Sequence, residues 1–352
     1  MLDVVVKNTE RFLLSVPKTK RKKYGQFFTN MSTAKFMASL FCFDRSKPCL
    51  EILDAGAGTG ILATAVIQKL IDDGYKGRIH VTCYETDDFV MPVLEENMRL
   101  STVLPNVTCS IKTDNYITSQ NFSTYTLFGG EDFHYDYIIG NPPYLKTSKD
   151  AIEALAMPEV CYGAPNLYFL FWAMGIHNLK EGQELVYIIP RSWTSGAYFK
   201  RFREYLFREC VLTDIHLFEK RDKVFDGESV LQETMIVKVK KTRVVPSAIN
   251  ITTSSTSDFK DISSFSAPYE TVVTKNHCVC VVTNSDDVNV LHTINHFSKT
   301  LPEINLKMQT GIIVDFRTRE VLRNELEEGA YPLLYAQHIR EGKIVWPLGK
   351  EG

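Results

Sequence analysis

No apolar stretch of this 352-residue chain approaches the length that crosses a bilayer. The start Met1-Leu2-Asp3-Val4-Val5-Val6-Lys7 also lacks the basic residues ahead of a continuous apolar run that mark an export signal. Neither anchoring nor secretion is expected, and the cytoplasm is the default compartment. The eight cysteines (Cys42, Cys49, Cys83, Cys109, Cys161, Cys210, Cys278 and Cys280) include no Cys-x-x-Cys pair, which argues against a zinc site or a disulfide frame. Several lie in apolar contexts such as Phe41-Cys42-Phe43 and read as reduced core thiols. Cys278-Val279-Cys280 alternates along one side of an expected strand, a weak basis for a metal site. An excess of charge of one sign is missing too: 40 Lys and Arg stand against 42 Asp and Glu, for a formal net charge of −2. That balance does not exclude a nucleic-acid partner, because binding depends on a local patch. Lys18-Thr19-Lys20-Arg21-Lys22-Lys23 is one such concentration, and Arg191, Lys200, Arg201, Arg203 and Arg208 are another. A solvated surface is the alternative for either. No internal repeat is evident, and with 44% hydrophobic residues the chain can bury a full core in one large or two modest domains.

The most informative segment is Ile138-Ile139-Gly140-Asn141-Pro142-Pro143-Tyr144, an apolar strand ending in Asn-Pro-Pro-Tyr. Two prolines fix their own φ, lack N–H donors and push the preceding residues towards extended geometry, so the turn presents acceptors and almost no donors. The Asn141 side-chain oxygen and the Pro142 carbonyl can hold both protons of a planar amino group, with the Tyr144 ring available for stacking. Transfer to an amide-like or aniline-like nitrogen needs this arrangement, because two acceptors draw the nitrogen towards tetrahedral geometry and free its lone pair.

Upstream, Leu50 to Leu62 reads as an apolar strand, a turn containing Gly56, Gly58 and Gly60, and the start of a helix. Such a turn lets a ligand reach backbone N–H groups without Cβ obstruction. Asp54 opens the turn, and Glu85, just after the expected strand His80–Tyr84, is placed to take both hydroxyls of a ribose. A NAD-binding protein would share these features, since the spacing G-x-G-x-G differs from the dinucleotide fingerprint only in part. Asn-Pro-Pro-Tyr breaks the tie.

Together these motifs resemble the γ-class DNA adenine-N6 methyltransferases of bacterial type II restriction-modification systems, which depend on S-adenosylmethionine (SAM). The resemblance runs from about residue 20 to the end of the chain. It implies that Lys23-Tyr24-Gly25-Gln26-Phe27-Phe28-Thr29-Asn30 forms a lid over the methionine end of SAM, with Thr29 at its carboxylate. The family usually has Pro where Asn30 stands. Asp54, Gly56, Gly58, Gly60, Glu85 and Asn141 are further implied cofactor residues, and Asp114 would accept from the adenine amino group of SAM. Asn141, Pro142 and Tyr144 are the implied catalytic residues. Tyr144 and Phe225 would sandwich the flipped target adenine, although Phe225 also reads as a core residue. The implied partners are double-stranded DNA and a cognate restriction endonuclease of the same system; no metal, membrane or covalent nucleophile is required. Release-factor glutamine methyltransferases and some RNA methyltransferases carry the same turn, and a DNA-binding component with a vestigial cofactor fold is a rival of another class.

Strand and helix patterns alternate from about Leu50 to Lys240, which predicts an α/β doubly wound sheet. Gly182–Pro190, Val211–Phe218 and Thr234–Lys240 are expected strands and Tyr198–Arg208 an amphipathic helix. The aromatics of Asn166–Trp172 are expected in the core. From Pro246 the composition turns hydroxyl-rich and then β-like, placing a domain boundary near residue 245. Residues 1–245 are then the catalytic domain. Residues 246–352 are the start of a smaller, mixed or β-rich target-recognition domain, expected to be incomplete because members of the family continue further.

Overall fold

The computed structural model describes residues 1–15, 28–122, 135–219, 233–308, 313, 315–325 and 327–348. The chain divides into two compact units, Met1–Asn295 and His296–Gly352. At the centre of the first is a nine-stranded sheet in the order β3-β2-β1-β4-β5-β7-β6-β8-β9. Its strands are β1 (Cys49–Ala55), β2 (Arg78–Tyr84), β3 (Val107–Lys112), β4 (Tyr135–Gly140), β5 (Leu179–Pro190), β6 (Cys210–Phe218), β7 (Thr234–Lys241), β8 (Ala248–Ser254) and β9 (Ser263–Pro268). β1 to β5 are parallel neighbours, and β7 enters antiparallel between β5 and β6.

Near-continuous apolar runs suit strands covered on both faces. Alternate residues accordingly enter two cores: Ile52, Ile139, Val186, Ile188 and Ile236 face one, and Leu53, Ile138, Leu185, Tyr187, Ile189 and Val237 the other. The first core also takes side chains from helices α1 (Leu2–Ser15), α2 (Met31–Ser39), α3 (Ile61–Asp72) and α4 (Met91–Ser101). Opposite lie helices α6 (Leu167–Asn178), which follows the short α5 (Ile152–Ala156), and α7 (Lys200–Glu209). α6 is hydrophobic all round because it is buried all round. Its carboxyl end is closed by Lys241, whose Nζ donates to the carbonyls of Ile176, His177 and Leu179 at 2.8, 3.2 and 2.7 Å.

The strand expectations hold within one to three residues at each end, but the boundary near residue 245 does not. β8 pairs parallel with β6 and β9 antiparallel with β8, so the hydroxyl-rich stretch continues the same sheet. His216 explains the composition: it is buried on β6, and its ring nitrogens lie 2.9 and 3.1 Å from the hydroxyls of Thr252 and Ser254. Burial lowers its pKa to about 3, so the hydroxyls serve a neutral imidazole. Cys278–Val282 forms an isolated bridge, Val273 with Val279, and not a strand; Val279 and Val282 still enter the main core.

All eight cysteines are free, yet only Cys83 and Cys210 are buried. Cys42 is exposed because Phe41 and Phe43 both turn their rings to Tyr137, at 5.4 and 4.8 Å, leaving the thiol between them outside. The second cation cluster is largely committed within the protein. Arg203 is buried on the carbonyls of Trp193 and Gly196, Arg191 pairs with Glu233, and Arg208 with Glu209. The Lys18–Lys23 run lies outside the described residues. Among those residues no helix is long and apolar enough to cross a membrane. In the second unit, a two-residue hairpin, β10 (Ile339–Arg340) with β11 (Lys343–Ile344), stands among short 3-10 turns, and His338 is the one buried described residue.

Gly60 sets the angle at which α3 leaves the glycine turn. Its φ is +80°, and a Cβ there would meet Met98 Cε at 2.6 Å. Gly60→Ala is expected to destabilise the protein by about 1–3 kcal/mol, from left-handed strain and overpacking together, read from urea unfolding midpoints.

Candidate cofactor and catalytic site

A cavity of about 430 Å³ opens where β1, β2, β3 and β4 end, walled by the glycine turn, Glu85, Asp114 and Asn141. The turn is shaped by β2: the N–H groups of Gly56 and Ala57 both donate to the Tyr84 carbonyl, at 2.9 and 2.8 Å. Gly56 and Gly58 take φ of +74° and +55°, and a Cβ on either would fill the gap to the rings of Phe171 and Phe28, each 3.5 Å away. The absent side chains therefore keep open a space that a flat, ring-bearing ligand can enter.

Glu85 is held on three backbone donors. Its Oε2 accepts from Gly58 N at 2.9 Å, and its Oε1 from Thr86 N and Asp87 N at 2.8 and 2.9 Å. Burial raises its pKa, opposed by those three N–H groups. A carboxylate has about four lone-pair sites, so this orientation retains capacity for a ligand's hydroxyls.

Beyond β3, Asp114, Asn115 and Tyr116 line the same cavity. Asn115 fixes the loop by accepting from Ile117 N at 3.0 Å and donating to Glu153 Oε1 at 2.9 Å. Tyr116 meets Tyr84 edge-on at 5.0 Å and accepts at its hydroxyl from Asn178 Nδ2 at 3.1 Å.

At the end of β4, Asn141 and Pro143 reach the cavity. Asn141 Nδ2 donates to Thr29 Oγ1 at 3.2 Å, joining the turn to the residue expected at the SAM carboxylate. The next residue, Asn30, accepts at Oδ1 from Thr33 N at 2.8 Å and so caps α2. Its φ of −77° is one that proline also adopts, so the departure from the family's usual residue keeps the backbone path.

The expected site residues separate into two groups. Thr29, Gly56, Gly58, Glu85, Asp114 and Asn141 share the cavity. Asp54, Gly60, Pro142 and Tyr144 are not among its lining residues. Asp54 is fully buried, and its Oδ2 accepts from Ala63 N at 3.0 Å, so it anchors the amino end of α3 beneath the turn. Desolvation raises its pKa to about 7. Tyr144 is half-buried, its hydroxyl donating to the Ile188 carbonyl at 3.0 Å and its ring meeting Tyr168 at 6.2 Å. Phe225 lies outside the described residues. Phe28, Phe171 and Leu145 are cavity residues that sequence reasoning missed. Phe28 stood inside the expected lid, whereas Phe171 belongs to a helix so uniformly apolar that no periodicity singles it out.

A glycine turn under an open cavity, an acid oriented at the end of the second strand and an acceptor turn at the end of the fourth, on this strand order, define a SAM-dependent methyltransferase. The sequence model of the Eco57I restriction-modification methylases matches residues 61–225. Type II methyltransferase M.BsuBI of Bacillus subtilis is 31% identical, over 97% of this chain and 69% of its own length. Type II methyltransferase M.PstI of Providencia stuartii is 32% identical over 96% and 67%. A Listeria monocytogenes structure assigned as a class I SAM-dependent methyltransferase shares the fold, with a TM-score of 0.51 and 19% identity over 66% of this chain and 67% of its own. The chain belongs to the type II methyltransferases of restriction-modification systems, and its cofactor is SAM.

If Glu85 holds the ribose, Glu85→Ala should weaken SAM binding by about 1.5–3 kcal/mol in calorimetry. Because burial raises the Glu85 pKa, wild-type affinity is expected to fall as acidification protonates it, at a pH above the usual Glu range. Glu85→Gln should remove that component of the pH dependence. Unchanged affinity in folded Glu85→Ala would reject the ribose role.

Proposed function

We propose that this chain methylates the exocyclic N6 nitrogen of an adenine rotated out of double-stranded DNA, as the modification arm of its restriction-modification system. The observation that carries the reading is the Asn141 carboxamide, on the cavity wall with its nitrogen bound to Thr29. With the amide nitrogen directed to Thr29, the oxygen, with two lone pairs, is the end offered to a substrate amino group in this reading.

SAM, when bound, supplies an electrophilic methyl group. Asn141 Oδ1 and the Pro142 carbonyl accept hydrogen bonds from the two amino N–H groups and draw the nitrogen out of conjugation, so that its lone pair can attack. As the nitrogen–carbon bond forms, the carbon–sulfur bond of SAM would break and S-adenosylhomocysteine would leave, with the extra proton passing from the product nitrogen to water. Thr29 orients the amide, Asp114 accepts from the adenine amino group of SAM, and Glu85 takes the ribose hydroxyls. Tyr144, anchored through its hydroxyl to Ile188, keeps a ring beside the acceptors for stacking with the flipped base. Phe225 enters this reading as the opposing wall from sequence alone. Base flipping costs a few kcal/mol, recovered by stacking and hydrogen bonds in the pocket. Contacts to base edges supply sequence discrimination, a role this reading gives to the region that includes the second unit, His296–Gly352.

The test is incubation with labelled SAM and duplex DNA, followed by digestion to nucleosides. Label in N6-methyladenine is the expected result; label in N4-methylcytosine, or in protein glutamine when release factor is offered, would overturn the reading. Asn141→Ala is expected to lower kcat by about 10²–10³-fold, the scale seen when one transition-state hydrogen bond is removed, with SAM affinity near wild type. Equal losses in binding and turnover would place Asn141 in cofactor binding instead.

A further inference from the structure

Helix α1 precedes every motif of the site, yet its buried face is polar where it meets the glycine turn. Thr9 is 2% exposed, and its hydroxyl lies 2.9 Å from the Val5 carbonyl and 2.8 Å from the Thr59 hydroxyl. A hydroxyl has one proton and a carbonyl has none to give. Both oxygens lie as acceptors to Thr9, so its single proton is shared between the Val5 carbonyl and the Thr59 hydroxyl. Asn8 Nδ2 donates to Asn97 Oδ1 at 2.9 Å, and Asn97 Nδ2 donates to the Thr59 carbonyl at 2.8 Å. Asn97 is fully buried, a costly place for an amide unless both of its ends are bonded.

Thr59 is therefore held at its side chain directly from α1 and at its carbonyl through Asn97. It lines the cavity beside Gly58, whose N–H is bound by Glu85. α1 reaches a second wall as well: Phe12 meets Phe28 edge-on at 6.1 Å, and Phe28 lies over Gly58. Packing alone would be served by apolar residues at these positions. A hydrogen-bonded polar network instead favours the one turn arrangement that keeps its partners.

We propose that α1 is a working part of the SAM site, with Thr9 and Asn97 as positioning residues that preorganise the glycine turn through Thr59. Neither lines the cavity; their effect is to remove alternative turn conformations that SAM would otherwise have to select against. The inference rests on SAM binding and not on which base is methylated.

The test compares Thr9→Val, which keeps the shape and loses the hydroxyl, with Thr9→Ser, which keeps the hydroxyl. SAM and S-adenosylhomocysteine affinities are read by calorimetry, and ligand-free melting temperatures control for folding. Thr9→Val is expected to bind both about tenfold more weakly, the scale of one buried hydrogen-bond partner lost. Thr9→Ser should stay within about twofold of wild type, and KM for SAM should rise in Thr9→Val while kcat holds. Wild-type affinity in folded Thr9→Val would overturn the proposal, as would equal impairment of Thr9→Ser, which would make shape and not the hydroxyl the cause. Should Thr9→Val not fold, Asn8→Ala, at a half-buried position, is expected to weaken binding about threefold or more through Asn97, and no change there would equally overturn it.

Discussion

The carbonyl of Tyr84 accepts from two successive N–H groups, those of Gly56 and Ala57, and the site is arranged around that pair of bonds. They exist because β1 and β2 pair in the register that sets Ala55 opposite Tyr84. That register puts Glu85 one residue beyond the shared carbonyl, within reach of Gly58 N. A slip of one residue would turn Ile52 and Leu53, and with them every side chain of β1, to the wrong core. The two cores thus hold the ligand-facing turn in place from below, although few of their side chains touch the cavity.

β4 lies between β1 and β5, which brings the Asn-Pro-Pro-Tyr turn beside the glycine turn. In an open α/β sheet, ligands bind at the carboxyl ends of the strands where the strand order reverses. The order 3-2-1-4-5 reverses between β1 and β4, and the cavity opens there. Each motif could fold locally. The proposed transfer needs both, because an acceptor for an amino group is useful only within reach of the methyl donor.

Thr29 and Asn30 link elements far apart in sequence. Asn141 bonds to the first, while the second caps α2 and donates to Ser257 Oγ at 2.9 Å. Phe36 of α2 stacks on Phe259 at 4.4 Å, and both meet His216. The hydroxyl-rich segment after β8 is therefore a brace for Thr29, Asn30 and the start of α2 at the edge of the cavity. Buried hydroxyls in short loops give this contact its specificity, since each must find its partner or lose a hydrogen bond.

The sequence by itself determined the catalytic class. Proline and glycine act through backbone geometry that needs no distant partner, so the Asn-Pro-Pro-Tyr and Gly-x-Gly-x-Gly turns were legible, as were the strands that end in them. Glu85 was legible because a βαβ unit has a nearly constant length. Tertiary structure alone decided the division of labour among these residues. Asp54 and Gly60 stand in the motif but hold up its helix, since only packing against α3 and α4 reveals which way a buried carboxylate or a missing Cβ faces. Phe171 could not be told from its neighbours on an all-apolar helix until β1 and α6 were packed together. The continuation of the sheet through β8 and β9 was hidden for a similar reason: their hydroxyls read as a change of composition at a domain boundary until His216, on β6, gave them a buried partner. Local geometry is encoded locally, whereas the facing of a side chain depends on contacts between segments that sequence order keeps apart.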